Sequence, residues 1–174
     1  MSIRSSSAFL LALLLGGCGG EPAAPPPVAP SSGPWTAEIR VFFTGCTSCA
    51  ECRSAIRQIS QTQSGSDHVE FRNGLSRITF PAPAMIRASE VANALADSRI
   101  IKGEVDHVEL TLQGEASGDG RVFTVPATKQ IWKLAEDGVK VPTGRPVTIR
   151  AALEGWRGKD AVPALKVQEV IGPQ

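Results

Sequence analysis

The chain has 174 residues, with 18 Lys+Arg against 17 Asp+Glu, four cysteines, 5% aromatics and no tyrosine. At 42% apolar and 20% charged the composition is globular, which excludes collagenous, disordered and polytopic membrane classes. A net charge of +1 provides no basic field to neutralise phosphates, so nucleic acid is not an expected partner. Four cysteines are too few to build a chain of this length from disulfides, and their spacing therefore matters more than their number.

Arg4 is the only charge in the first twenty residues, and the apolar run Ala8–Leu15 leads to Gly16-Gly17-Cys18. A basic start, an apolar stretch too short to span a bilayer and small residues after it make an export signal. Leu15-Gly16-Gly17-Cys18 resembles the lipobox of bacterial lipoproteins. That resemblance implies cleavage before Cys18, acylation of Cys18 and anchorage to membrane lipid, stable because several acyl chains act together. Gly at position 19 favours the outer membrane by the enterobacterial sorting pattern. The expected location is the bacterial cell envelope, facing the periplasm or exterior. Removing residues 1–17 takes away Arg4 and no acid, so the mature chain carries no net charge. Residues 18–35 form the expected tether, with six of the thirteen prolines between Gly19 and Pro34, a composition that cannot bury a core.

Residues 36–106 read as a first domain. Ala37, Ile39, Val41 and Phe43 alternate with polar residues in a strand. Cys46-Thr47-Ser48-Cys49-Ala50-Glu51-Cys52 follows. Cys52, Ala55, Ile56 and Ile59 then recur at helical spacing, and Gln61–Ser66 reads as a loop by composition. Val69 and Phe71, the Asn73-Gly74 hairpin signal, and Ile78 and Phe80 make two further strands. Ser89 is placed to cap a second helix whose buried stripe is Val91, Ala92, Leu95 and Ala96. A short strand at Gly103–Val105 closes the unit. The order suggests a ferredoxin-like βαββαβ arrangement.

The strand leading into Cys49-Ala50-Glu51-Cys52, with Ile56 and Ile59 on the helix, resembles the heavy-metal-associated domain of copper chaperones and related mercury-binding proteins. The resemblance implies Cys49 and Cys52 as the pair that binds a soft metal ion, and a cysteine-containing partner for metal transfer. It covers about 70 residues. The family's loop methionine is absent, and Cys46 extends the motif to Cys-x-x-Cys-x-x-Cys. Cys46 is either a third metal ligand or a resolving thiol. The chemistry points the same way: thiolates at a helix amino terminus are favoured by its dipole, and soft sulfur selects Cu(I) first, with Hg(II) or Zn(II) as the other candidates. No convincing fourth ligand exists for a closed zinc site. Lys102 is the nearest cation that could offset thiolate charge, although an exposed lysine is the plainer reading.

Two other readings stand beside metal binding. An exported chain meets oxidants, so Cys46–Cys49 or Cys49–Cys52 could be bridged with the third thiol free. Cys-x-x-Cys at a helix start also suits a thiol–disulfide redox or sensing module, although the Trp-Cys-x-x-Cys and cis-proline loop of thioredoxins are missing. The third reading is a non-catalytic docking lipoprotein. His68 and His107, each within Asp-His-Val-Glu, receive no metal role.

Residues 107–174 read as a second, all-β domain. Short alternating strands around Val108–Gln113, Val122–Val125, Ile131–Leu134, Val147–Glu154 and Ala164–Ile171 imply a small OB-like barrel. Trp132 and Trp156 read as packing residues in preference to a ligand-stacking surface. No nucleophile–base pair, carboxylate dyad or phosphate loop is present, so no enzyme activity is expected. The expected class is α+β, a ferredoxin-like domain followed by a small OB-like barrel.

Overall fold

Strand alternation dominates this chain, and the computed structural model resolves it into one continuous sheet; the model describes residues 37–81, 83–158, 160 and 162–172. The expected export signal, Cys18 and the tether lie outside the described residues. The elements run β1 (Ala37–Thr44), α1 (Ala50–Ser64), β2 (Val69–Arg72), β3 (Leu75–Phe80), α2 (Ala88–Ala96), β4 (Glu104–Ala116), β5 (Val122–Val125), β6 (Gln130–Leu134), β7 (Val147–Glu154) and β8 (Ala164–Ile171). The sheet order is β2-β3-β1-β4-β5-β6-β8-β7, and β4 also pairs with β7. That last pairing closes β4 to β8 into a five-stranded barrel, with β6 and β8 parallel and the other neighbours antiparallel.

The expected fold class is corrected by these observations. There is no ferredoxin-like βαββαβ domain followed by a separate barrel. The described chain is mostly β, 43% strand against 18% helix, with only two helices and a closed barrel. The barrel is loosely compatible with the OB-like unit expected at the end of the chain. The short strand expected at Gly103–Val105 and the one expected from Val108 are a single 13-residue strand, β4, and the boundary drawn at 106/107 falls inside it.

The physical reason for the misreading is a bulge. Phe42 pairs with His107, but Phe43 pairs with Val105, so Asp106 has no partner on β1. One extra residue shifts the phase of alternation. Val105 is buried, and burial resumes at Val108, Leu110 and Leu112. In sequence this change of phase looks like an end and a new beginning.

One hydrophobic cluster runs through both ends of the sheet. Ile39, Val41 and Ile78 meet Ile56, Val91 and Leu95 where α1 and α2 cover β2-β3-β1-β4, and Leu110, Leu112, Phe123, Ile149 and Leu165 fill the barrel; all are 1% exposed or less. The opposite face of β1 carries charge: Glu38 pairs with Arg40 and with Arg77 at 3.4 Å, and Arg40 lies 3.9 Å from Glu109. Asn73 and Gly74, both with positive φ, make the hairpin between β2 and β3, as that dipeptide favours.

Both helices differ in extent from their sequence signals. α1 continues through Gln61–Ser64 and stops at left-handed Gly65. Polar composition reads as loop, but a surface helix needs only its inner stripe, here Cys52, Ala55, Ile56 and Ser60, to be buried. α2 starts one residue before Ser89, with Arg87 at the cap position and no side-chain cap bond. Asn93 ties α2 to the barrel instead. Its Nδ2 donates to the Trp156 carbonyl at 2.8 Å, and its Oδ1 accepts from the Gly158 N–H at 3.2 Å.

Gly114 permits the close crossing of β4 and β5. A Cβ there would collide with the Thr124 carbonyl oxygen and sit 2.8 Å from Phe123 Cε1. Gly114→Ala is expected to lower unfolding free energy by about 2 kcal/mol or more through overpacking. Gly118→Ala, with nothing within 4 Å, should change it by less than about 0.5 kcal/mol. Urea denaturation of the two variants checks the contrast; equal effects would contradict the packing described.

Candidate functional site: the cysteine loop at the start of α1

β1 delivers the chain from the core to an exposed loop, Gly45 to Cys49, and α1 takes it back. Gly45 adopts φ +82°, a left-handed turn that glycine adopts without strain. Cys46 is exposed and unbridged, Thr47 is buried, and Cys49 occupies the cap position of α1 in extended conformation. Cysteine here does the work usually done by serine or aspartate: Cys49 Sγ accepts a hydrogen bond from the Cys52 backbone N–H at 3.1 Å.

The structure brings Cys49 and Cys52 together as a disulfide, with Cα atoms 5.3 Å apart. Of the arrangements left open by the sequence, it has the 49–52 bridge with Cys46 free. The three sulfurs differ in access. Cys46 is exposed, Cys49 is half-buried, and Cys52 is wholly buried, its Sγ 3.6 Å from the Ile100 carbonyl oxygen. A bridged sulfur carries no proton; once reduced, the Cys52 thiol has that carbonyl as its acceptor.

The segment after α2 closes over the loop, a contact that sequence reading missed. A Cβ on Gly103 would lie 2.6 Å from both the Thr44 carbonyl oxygen and Thr47 Cγ2, so only glycine allows this approach. A lone glycine before a strand carries no signal of such a contact, because the signal lies in the tertiary neighbour. The same segment brings the charge of Lys102 near Cys46. Hydrogen bonding from the Ser48 side chain, first, and from the Ser48 backbone, second, holds the Cys46 thiol below its ordinary pKa, and Lys102 adds a smaller pull in the same direction. Cys46 Sγ lies 3.6 Å from Ser48 Oγ.

The histidines are occupied elsewhere. His107 stacks on Phe42 with ring centroids 4.1 Å apart, and its Nδ1 is 2.7 Å from Asp106; His68 pairs with Asp67 at 3.3 Å. Among the described residues, with Cys49 and Cys52 bridged, no group of three or more His, Cys, Asp or Glu is placed to hold a metal ion. Trp132 and Trp156 belong to the hydrophobic core. Trp132 also borders a cavity of about 400 Å³ with Met85, Ile86 and Gln130. No described helix is long and apolar enough to cross a membrane.

The hydrogen bonding at Cys46 sets a pH expectation. Because Ser48 favours the thiolate, Cys46 should alkylate with a pH midpoint below that of a free thiol. Ser48→Ala removes the main cause and should move that midpoint upward. Iodoacetamide rates against pH, in the bridged full chain carrying Cys18→Ser, check this; an unmoved midpoint would contradict it.

No protein-family model matches this chain, and no curated protein and no solved structure matches it either.

Proposed function

We propose that this protein is a lipid-anchored component of the bacterial cell envelope that captures or passes on a soft metal ion through Cys49 and Cys52, with Cys46 as an optional third ligand. The observation that carries the reading is the convergence of two sulfurs at the first turn of α1, beside a third cysteine in the same exposed loop. Reduction of the bridge supplies two adjacent thiolates near the positive end of a helix dipole. Soft sulfur donors select Cu(I), with Hg(II) and Zn(II) as competitors, over hard cations. Similarity of the cysteine motif to that of heavy-metal-associated domains supports the assignment at the level of the motif. An open loop suits stepwise exchange with a cysteine-containing partner. Acylated Cys18 holds the protein to membrane lipid, and the barrel positions the loop or docks the partner.

A second reading, a thiol–disulfide redox or sensing module without enzymatic turnover, is favoured by a different observation. The pair is bridged while Cys46 is free, exposed and shifted toward thiolate.

Native mass spectrometry of the full chain carrying Cys18→Ser, titrated with Cu(I), Zn(II) or Hg(II), separates the two. The reduced protein should take up one soft metal ion, and the bridged protein should not. Cys49→Ser or Cys52→Ser should weaken binding by about 100-fold or more, equivalent to about 2.8 kcal/mol, while Cys46→Ser retains it. Binding that is unaffected by bridging or by Cys49→Ser would overturn the metal reading.

A further inference from the structure

We infer that the Cys49–Cys52 bridge opens from one side only: an incoming thiolate attacks Cys49, Cys52 leaves, and Cys46 is the neighbouring thiol that can take its place. The inference rests on the proposal that this cluster is a working thiol site, and it deepens that proposal by giving the site a direction. Thiol–disulfide exchange requires access to the sulfur attacked. Cys52 is 0% exposed, enclosed by α1 and by the Ile100 segment, whereas Cys49 caps the helix from the solvent side and is half-buried. A thiol of a partner protein or a small thiol therefore reaches Cys49 first.

The buried sulfur has a partner after it has left and taken up a proton. Cys52 Sγ lies 3.6 Å from the Ile100 carbonyl oxygen, which accepts a hydrogen bond from the thiol once it carries a proton. Cys46 stands three residues before Cys49, the same separation as that of the bridged pair, on a loop outside any strand or helix. It is exposed and unbridged. Such a spacing lets a loop fold to the Cα separation below about 7 Å that a disulfide requires.

The internal step balances without an outside oxidant or reductant. Cys46 loses its proton to solvent and forms an S–S bond to Cys49 as the Cys49–Cys52 bond breaks. The electron pair of the broken bond leaves on Cys52 Sγ, which takes up a proton. One disulfide is consumed and one is made. The result is a bridge that moves outward along the loop and frees the buried thiol.

The test uses the full chain carrying Cys18→Ser, oxidised, held at neutral pH, then acid-quenched, denatured and blocked with N-ethylmaleimide. A protease that cuts after glutamate separates Cys46 and Cys49 from Cys52 at Glu51. A 49–52 bridge then links two peptides, whereas a 46–49 bridge stays within one and leaves Cys52 labelled. The 46–49 form is expected at on the order of a tenth of molecules or more. In Cys46→Ser, whose fold is checked by circular dichroism, glutathione should be found on Cys49 at least about ten-fold more often than on Cys52. Either a bridge that stays wholly 49–52 or an adduct of comparable extent on Cys52 overturns the inference. Exchange in a protein that binds no metal when reduced would end the metal reading and leave this one standing.

Discussion

Strand β4 is the constraint on which the rest of the structure depends. Residues Glu104 to Thr111 pair with β1, Glu109 to Gly114 pair with β7, and Glu115 and Ala116 pair with β5. One strand thus closes the barrel and carries the helix-covered part of the sheet. The unpartnered Asp106 lets it serve both, because a single extra residue turns the buried side of the strand from Val105 to Val108 without ending the ladder. Without that shift, the apolar residues of one end would face solvent.

The cysteine loop draws its position from the same strand. β4 begins directly after Gly103, and Gly103 packs beneath Thr44 and Thr47. The start of the shared strand and the start of the thiol loop are therefore held together. Ile100 follows from this placement as the backbone neighbour of Cys52. Asn93, in the second half of α2, bonds the loop that follows β7. The helix that leads into the segment over the cysteines is thus itself tied to the chain beyond β7.

Much of this was legible in the sequence where a local rule decided the outcome. Alternation located the strands, Asn73-Gly74 located the hairpin, and Cys52, Ala55 and Ile56 located the inner stripe of α1. What was not legible depended on long-range partners. The bulge at Asp106 is a property of pairing with Phe42 and Phe43, so β4 read as two pieces and the fold as two domains. The end of α1 was obscured because Gln61–Ser64 carries no apolar signal of its own. The cysteines were recognisable as one cluster, but their graded exposure was not, since it arises from Ile100 and Gly103, about fifty residues away in the chain.

The central claim is that the reduced sulfurs of this loop bind a soft metal ion as thiolates. Its most direct measurement is X-ray absorption spectroscopy at the copper edge on the reduced, Cu(I)-loaded full chain carrying Cys18→Ser. The account predicts a first coordination shell made only of sulfur, with two or three ligands from Cys49, Cys52 and Cys46. A first shell of nitrogen or oxygen, or sulfur coordination that persists when both Cys49 and Cys52 are serine, would contradict it.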